Sequence, residues 1–400
     1  MGIRLVIVDD NPHVSWEGRT YPVNATFQHF AAALLDVPGS PIASITSCVP
    51  VRDAAVAPVT RPLDPCIRVV ATAPFEGIEG YLRHLPAMLR ANRPILRAAL
   101  VDADLVWIKV PASNAPLAAT LARAARVPRF GYVAGSAYDV AGAQARGMVG
   151  GLGARAVGLA YDLAGRLASI GGDRLVVGQD LDGVGVVSSL VEAEEIRDVA
   201  RTVWPRDDGQ LRLAWAGRLA SGKGIETLLE AVARLAVTPP DGRRVELDLV
   251  GDGPARERLM TEADRLGVAD RLHWHGYLAA RAPYLEALSR ADLFVFPSPA
   301  EGFPKVILDA FAVGTPVVAT PSGSLAGLGR DRVAFVPSGD ALALATAIRD
   351  LVGKPARAAD LRTAGSAFAA AHTRLAEAGR LVDRWSDRYP ALAWTASHPG

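Results

Sequence analysis

Short runs of β-branched and aliphatic residues alternate with longer helical patterns from one end of the chain to the other. The first run, Ile3 to Val8, precedes a helical pattern at Ala25 to Leu35, and the same order recurs along the chain. Because a parallel strand is reached through a crossover helix, this alternation predicts βαβ units and parallel sheets. A chain of 400 residues exceeds one ordinary hydrophobic core, so the sequence predicts two doubly wound α/β domains.

A polar patch from Thr202 to Gln210 interrupts this pattern near the middle of the chain. It contains Pro, Gly and paired aspartates, which are typical of a break between domains. We expect an N-terminal domain at 1–190, a C-terminal domain at 191–370, and a final helix within 371–400 that packs back on the first domain. The predicted strands are Ile3–Val8, Ile67–Ala73, Leu105–Val110, Phe130–Val133 and Leu175–Val177 in the first domain, and Leu211–Ala216, Val245–Val250, Leu272–His275, Leu293–Phe296 and Pro316–Ala319 in the second.

Charge and cysteine content limit the classes of partner and compartment. The 43 basic and 42 acidic side chains leave a formal net charge of +1, which excludes the basic stripe that duplex nucleic acid binding needs. Cys48 and Cys66 match no metal-ligand spacing, and we interpret both as small core residues in a reducing compartment. The N-terminal sequence lacks the order of a secretory signal and no stretch is apolar enough to span a membrane, so we expect a cytoplasmic protein.

The segment AWAGRLASGKGIETLL joins the end of a predicted strand to the start of a helix through a turn of small residues. The strand ends at Gly217 and Arg218, and Lys223 opens the helix. Backbone N–H groups at a helix start favour anions, glycine allows close backbone approach, and the two cations add positive charge. This segment predicts a phosphate site, with a solvated basic turn as the alternative.

Two further strand ends carry polar turns. LVGDGP places Gly251 and Gly253 after a strand, a pattern also found at ordinary turns. FVFPSPAEGFPKVILDAF places Glu301 before an amphipathic helix and Asp309 about two turns into it. Ligands of open α/β sheets bind at the carboxyl ends of strands, and both carboxylates can border one ligand only if it is long, as a nucleotide sugar is. The alternatives are a helix-capping role for Glu301 and a solvated position for Asp309.

The run from Leu211 to Thr320 resembles the donor-binding domain of glycosyltransferase family 4, through its GR–KG turn, its GDGP turn and its PS–EGF–G–PVVA stretch. The resemblance implies the GT-B fold, in which two Rossmann-like domains face each other across a cleft. It also implies that Arg218, Lys223 and Glu301 are the catalytic residues. By the same resemblance the donor is bound by Gly217, Gly251, Gly253, Gly276, Tyr277, Gly302, Phe303 and Asp309.

Two parts of the chain differ from the family pattern. The family usually has Glu where this chain has Asp309, so the carboxylate that the resemblance assigns to the ribose is one methylene shorter. Members also often carry a histidine after a middle strand of the first domain, where the sequence here is RFGYVAGSAYDV. Ser136 and Asp139 are the polar candidates for this part of the cleft, although Asp139 equally suits a helix cap. Gly18 and Arg19 are candidates for residues that line the edge of the cleft or contact the acceptor.

The resemblance implies a metal-independent reaction without a cofactor, in which a nucleotide diphosphate sugar is the co-substrate and configuration is retained. Two DxD triplets, Asp102 to Asp104 and Asp180 to Asp182, and the scattered histidines show no pattern that we assign to a metal. The cations Arg218 and Lys223 suit stabilisation of the leaving diphosphate.

We therefore expect a retaining glycosyltransferase in the synthesis of bacterial surface glycans or natural-product glycosides. Its acceptor is a glycan, a lipid-linked glycan or a natural product, and a peripheral contact with the inner face of the membrane is compatible with it. The alternatives are a non-catalytic, glycosyltransferase-like nucleotide-binding subunit and a nucleotide-sugar epimerase.

Overall fold

The computed structural model describes residues 2–58, 60, 62–74, 77–110, 112–133, 173–178, 185–199 and 208–392, with the backbone alone described at 77–85. The chain folds into two compact units, of which the first comprises 1–190 with 374–400 and the second 191–373. Among the described residues, no helix combines the length and the apolar composition needed to cross a membrane.

Parallel strands dominate the sheet of the first unit. In chain order its strands are β1 (Ile3–Val8), β2 (His13–Trp16), β3 (Arg19–Pro22), β4 (Ile42–Asp53), β5 (Ile67–Thr72), β6 (Leu105–Val110), β7 (Arg129–Val133) and β8 (Asp173–Val176). Strand β1 lies between β4 and β6, and the sheet continues from β6 to β7 and β8 with parallel pairing. Because the chain first extends the sheet on the β4 side and later returns to the β6 side, strand order reverses at β1.

The core of the first unit forms around Trp107 in β6. Helices α1 (Thr26–Asp36), α2 (Gly77–Leu100) and α3 (Ala115–Ala124) pack on the sheet. Trp107 is fully buried, and its ring centroid lies 5.1 Å from that of Phe27 and 5.0 Å from that of Tyr132. Aromatic pairs at such distances contribute about 0.5–1.5 kcal/mol each beyond the burial of their area. The cluster therefore holds α1 against two neighbouring strands.

The described residues of the second unit form a parallel sheet. Its strands are β9 (Gln210–Ala216), β10 (Arg244–Val250), β11 (Leu272–Gly276), β12 (Leu293–Phe296), β13 (Val317–Ala319) and β14 (Val333–Phe335). Their spatial order is β11, β10, β9, β12, β13, β14, and neighbouring strands are parallel. Strand order therefore reverses at β9, with β10 on one side and β12 on the other.

One helix follows each of the strands β9 to β12, and two helices follow β14. They are α4 (Ile225–Val237), α5 (Arg256–Leu266), α6 (Arg281–Ser289), α7 (Lys305–Ala312), α8 (Ala341–Val352) and α9 (Pro355–Ala371). In α4 the residues Leu228, Val232 and Leu235 recur at helical spacing and are fully buried. The helical period thus places one apolar face of α4 on the core.

The final helix, α10 (Arg374–Arg388), packs within the first unit. Trp385 is fully buried, and its ring centroid lies 5.6 Å from that of Trp107. Arg384 donates to both carboxylate oxygens of Asp173 in β8, at 2.9 and 3.0 Å. One apolar anchor and one bidentate ion pair therefore fix this helix to the sheet.

The prediction of two α/β sheets with parallel strands is confirmed, but the sequence patterns left some elements out. The hairpin β2–β3, the long strand β4 and the short strand β14 were not predicted. Cys48 is buried in β4, whereas the interpretation of Cys66 as a core residue is wrong because Cys66 is exposed in the turn before β5. The polar triplet Asp180 to Asp182 lies outside the described residues.

Candidate functional site

The carboxyl end of β9 marks the point where strand order reverses in the second sheet. Loops leave the same edge of the sheet at Gly217 after β9, Gly251 after β10, Tyr277 after β11 and Pro297 after β12. Ligands of open α/β sheets bind in the crevice at such a point. The segments singled out in the sequence are therefore brought together at one edge.

Glycines allow the turns after β9 and β10 to touch each other. The Gly217 N–H donates to the Val250 carbonyl at 3.0 Å. A Cβ added to Gly251 would lie 1.8 Å from the Gly217 oxygen, and one added to Gly253 would lie 2.3 Å from the Leu219 oxygen. These positions thus require glycine for the contact between the turns themselves, a role that the sequence did not reveal.

Two more glycines hold the loop after β12. Gly224 has φ of +70°, and a Cβ there would lie 2.0 Å from the carbonyl oxygen of Pro297. Gly323 has φ of +56°, and a Cβ there would lie 1.9 Å from the carbonyl oxygen of Glu301. Left-handed backbone and close approach both exclude larger residues. The start of α4 and the turn after β13 therefore clamp the loop that carries Glu301.

Lys223 and Glu301 meet where these loops converge. The Lys223 Nζ lies 2.6 Å from Glu301 Oε1, and the same oxygen accepts a hydrogen bond from Ser298 Oγ at 2.7 Å. The two side chains are 31% and 14% exposed, so water screens their attraction only in part. Glu301 is not a helix cap, because the N-cap residue of α7 is Pro304.

Groups that suit an anion occur in the same two loops as this pair. Arg218 is exposed and forms no ion pair with the described part of the chain. The N–H groups of Gly302 and Phe303 find no acceptor among the described residues, while the Gly302 carbonyl accepts from Ser324 Oγ at 2.8 Å. Free N–H groups just before a helix, together with two cations, match the oxygens of a diphosphate.

Asp309 occupies the buried face of α7 and is only 4% exposed. Its Oδ1 lies 2.7 Å from Arg281 Nη2, and its Oδ2 accepts a hydrogen bond from the Tyr284 hydroxyl at 2.9 Å. Arg281 also donates to both carboxylate oxygens of Glu195, at 2.9 and 2.8 Å. Burial raises the pKa of Asp309, and the charge of Arg281 opposes that rise. The alternative of a solvated Asp309 is therefore wrong.

The contacts of Asp309 with Arg281 and Tyr284 restrict how its carboxylate could bind a ribose. A ribose hydroxyl would have to displace Tyr284 or share the carboxylate with it, so ribose binding by Asp309 stays a prediction. Sequence reasoning missed Arg281, Tyr284 and Glu195. No local pattern marks them, because their partners are 25 to 86 residues away along the chain.

The loop after β11 presents one exposed aromatic ring. Tyr277 is 61% exposed, and the Gly276 carbonyl accepts the Gly251 N–H at 2.8 Å. The contact joins the loops after β10 and β11, so both follow the same edge as Gly217. The nucleobase role of Gly276 and Tyr277 stays a prediction.

The site residues expected in the first domain lie in the first unit or outside the described residues. Gly18, with φ of +73°, forms the turn between β2 and β3, which makes this stretch a hairpin. Arg19 begins β3 and lines a cavity of about 480 Å³ with Thr20 and Asp64, among mainly apolar neighbours. Ser136 and Asp139 lie outside the described residues.

The first DxD triplet is engaged in ion pairs. Arg4 contacts Asp102 at 3.4 Å and Asp104 at 3.0 Å. Across the residues that the structure describes, no group of three or more His, Cys, Asp or Glu side chains is arranged to hold a metal ion.

Known proteins resemble this chain in sequence and in fold. Residues 210–354 match the family model described as Glycosyl transferases group 1. A stretch of 138 residues is 40% identical to the lipopolysaccharide core biosynthesis glycosyltransferase LpsE of Rhizobium meliloti (strain 1021), and covers 34% of this chain and 38% of LpsE. The chain thus spans less than half the length of the curated relatives it matches first.

Solved structures align over nearly the whole chain. The sucrose-phosphate synthase of Thermosynechococcus elongatus has a TM-score of 0.65 at 19% identity, with 97% of this chain and 100% of that chain covered. Anabaena Alr3699/HepE, solved in complex with UDP-glucose, has a TM-score of 0.60 at 17% identity, with 96% and 100% covered. The described chain therefore has the GT-B fold of its glycosyltransferase structural neighbours, and residues 210–354 carry the glycosyl transferases group 1 family pattern.

Proposed function

We propose that this protein is a glycosyltransferase that moves a sugar from a nucleotide diphosphate sugar to an acceptor, with retention of configuration and without a metal ion. The observation that carries the proposal is the contact between Lys223 and Glu301 at the point where strand order reverses in the second sheet, with Arg218 in the loop that leads from β9 to Lys223. The family match over 210–354 supports the same class of reaction.

We assign binding of the diphosphate to the side chains of Arg218 and Lys223 and to the free N–H groups of Gly302 and Phe303. Arg218 is exposed and can turn its guanidinium to a phosphate without breaking an ion pair to the described residues. Lys223 is held by Glu301 at 2.6 Å, so its ammonium is already positioned before a ligand arrives. Groups that need little rearrangement stabilise developing charge most effectively.

The transferred sugar is assigned to Glu301. Its carboxylate is fixed by Ser298 at 2.7 Å and by Lys223, and it stays partly exposed. A carboxylate held in this way accepts hydrogen bonds from sugar hydroxyls and fixes the pyranose next to the diphosphate. Tyr277 and the Gly276 backbone are proposed to contact the base, and Asp309 the ribose.

In the proposed reaction the bond between the anomeric carbon and the diphosphate oxygen breaks, and the acceptor oxygen bonds to the same face of that carbon. The electron pair of the broken bond stays on the diphosphate, whose growing negative charge Arg218 and Lys223 stabilise. The acceptor hydroxyl gives its proton to a donor phosphate oxygen, so the step needs no separate protein base.

The acceptor class is proposed from the relatives. The matched relative LpsE is described as acting in lipopolysaccharide core biosynthesis. We place this chain in bacterial surface glycan or natural-product glycoside synthesis, acting in the cytoplasm and in peripheral contact with the membrane when its acceptor is lipid-linked. Both cysteines are free, which agrees with a reducing compartment.

Turnover of Lys223→Ala tests the proposal. Wild type is incubated with UDP-, GDP-, ADP- and TDP-sugars and a panel of acceptors, and release of nucleotide diphosphate is measured together with the product. We expect the variant to lose about 100- to 1,000-fold in rate, as when one preorganised charge is removed from a site of this kind. Lys354→Ala is the matched control, because Lys354 is an exposed lysine of the same unit that pairs with Asp350.

Three results would contradict the proposal. Near-normal turnover by Lys223→Ala would remove its catalytic role. An isomerised sugar nucleotide in place of a glycoside would identify an epimerase. Nucleotide binding without turnover across all acceptors would identify a non-catalytic binding subunit.

A further inference from the structure

A cavity in the first unit has no part in the proposed donor site. Its lining begins at Arg19 and Thr20, at the start of β3, and continues through the turn before β5 into the first half of that strand. The apolar part of the lining consists of Pro62, Leu63, Pro65, Ile67 and Val69. The volume of about 480 Å³ is typical of a small-molecule site, for which about 300–1,000 Å³ is usual. The cavity therefore has the size to hold a ligand, while the residues assigned to the donor belong to the other unit.

Backbone hydrogen bonds hold the apolar wall of this cavity in place. Ile67 and Val69 belong to β5, which pairs in parallel with β4. The Leu63 N–H donates to the Thr20 carbonyl at 2.8 Å and so joins the turn to β3. Pro65 fixes its own φ within the same turn. The wall is thus formed before a ligand arrives, which lowers the cost of ordering it on binding.

Alternation along β5 separates the cavity from the other face of the strand. Successive side chains of a strand point to opposite faces, so Ile67 and Val69 share one face and Arg68 lies on the other. Ile67 is 5% exposed, Val69 is half-buried and Arg68 is exposed. The strand therefore gives the cavity an apolar surface, and Arg68 is a cation of the same strand that does not line it.

Arg19 gives the cavity a positive charge that is not yet engaged. Its side chain is exposed and forms no ion pair with the described part of the chain. The hydroxyl of Thr20, which is half-buried, likewise has no hydrogen-bond partner among those residues. A guanidinium and a hydroxyl both donate hydrogen bonds to the oxygens of a carboxylate or a phosphodiester. The free donors of the cavity therefore suit an anionic group.

Asp64 also lines the cavity and limits the charge of such a group. Its Oδ1 accepts the Cys66 N–H at 3.0 Å. Hydrogen bonds from the side chain and the backbone of Cys66 lower the pKa of Asp64, so its carboxylate is ionised at neutral pH and is engaged in its own turn. The formal charges of Arg19 and Asp64 cancel, and Asp64 repels a doubly charged group more than a singly charged one. One negative charge on the ligand is thus the best match.

We propose that this cavity binds a single-chain amphipathic monoanion, whose carboxylate or phosphodiester contacts Arg19 and Thr20 and whose apolar chain covers Ile67 and Val69. Burial of the chain supplies most of the affinity, and Arg19 selects the head group. A free fatty acid and a membrane lipid both have this chemistry. The inference goes beyond the proposed function and does not depend on it, because every residue that carries it belongs to the first unit.

The test is ligand-observed NMR with the full chain at neutral pH. The probes are butanoate, hexanoate, octanoate and decanoate, each below the concentration at which it forms micelles. Octyl glucoside is the uncharged comparison and octyltrimethylammonium is the cationic one. The variant is Arg19→Gln, and the matched control is Arg68→Gln, the same substitution on the other face of β5. Val69→Phe narrows the cavity without changing its charge, and the Tm of each variant checks that it is folded.

We expect affinity to rise about two- to fourfold for each added methylene and to level off once the cavity is filled. Arg19→Gln should weaken octanoate binding about tenfold or more, because it removes a charged donor, while Arg68→Gln should leave it unchanged. Val69→Phe should move the plateau to a shorter chain.

The inference is overturned if octanoate does not bind saturably, or if either comparison amphiphile binds as tightly as octanoate. Equal weakening in Arg19→Gln and Arg68→Gln, or an unchanged chain-length plateau in Val69→Phe, would also overturn it. Sedimentation with phosphatidylglycerol vesicles identifies the source of the anion. Sedimentation that is lost in Arg19→Gln and kept in Arg68→Gln assigns a membrane lipid. Saturable octanoate binding without Arg19-dependent sedimentation assigns a free acid.

Discussion

Gly224→Ala is the sharpest perturbation that the candidate site offers. Gly224 precedes α4 with φ of +70°, and a Cβ there would meet the carbonyl oxygen of Pro297 at 2.0 Å. Pro297 follows β12 directly and is buried, so its carbonyl cannot turn away without moving the loop that leads to Glu301. Gly222 is the matched control, because it has φ of +81° and a Cβ there would meet nothing within 4 Å.

The expected losses of unfolding free energy follow from the surroundings of Gly224 and Gly222. Left-handed backbone alone costs an alanine about 1–2 kcal/mol, and both variants carry that cost. Overpacking against fixed backbone adds about 1–3 kcal/mol, and only Gly224→Ala carries it. We therefore expect Gly224→Ala to lower the free energy of unfolding of the second unit by about 2–5 kcal/mol, against about 1–2 kcal/mol for Gly222→Ala.

The assay is urea unfolding of the full chain, with hydrogen exchange of α4 and β12 to assign the transition to the second unit. Nucleotide affinity is measured alongside, because movement of the Pro297 loop separates Glu301 from Lys223. Gly224→Ala should weaken nucleotide binding more than Gly222→Ala does. Equal losses of stability and affinity in the two variants would refute the inferred contact between the first turn and the β12 loop.

Further predictions follow from other parts of the structure. Arg281→Met leaves Asp309 and Glu195 without their shared cation, so we expect the unfolding free energy at neutral pH to fall by about 3–5 kcal/mol. Adding Asp309→Asn should recover part of this loss. No recovery would contradict the inferred ion pair between Arg281 and Asp309. Burial raises the pKa of Asp309, so its carboxylate takes up a proton at a higher pH than an exposed aspartate does. Protonation removes the uncompensated buried charge, and the stability lost in Arg281→Met should therefore shrink as pH falls. Trp385→Ala should lower the unfolding free energy of the first unit by about 3–5 kcal/mol in denaturant titration, and a loss confined to the second unit would contradict the packing of α10.

Periodicity alone predicted the alternation of strands and helices, because buried parallel strands such as β6 and β9 are continuous apolar runs. Periodicity did not predict strand β4, because its buried positions are interrupted by polar residues such as Ser44 and Thr46. Periodicity also did not predict the β2–β3 hairpin, because short, partly exposed strands carry no clear apolar pattern. Only the glycine at position 18 marks its turn.

The sequence indicated which strand ends carry charge, because glycine and cationic residues follow β9 and an acidic turn follows β12. It could not indicate that Lys223 and Glu301 are in contact, since strand order decides which loops are neighbours. Arg281 had no local signal for the same reason.

The most direct test of the account is thermal unfolding of wild type and Lys223→Ala in the presence of UDP, GDP, ADP or TDP. A ligand at one hundred times its Kd stabilises the native state by about 2.7 kcal/mol, which is a measurable rise in Tm. The account predicts that one nucleotide raises the Tm of wild type clearly more than the others do, and that Lys223→Ala loses this rise. If no nucleotide stabilises wild type, or if Lys223→Ala responds as wild type does, the assignment of the second unit as the donor site is contradicted.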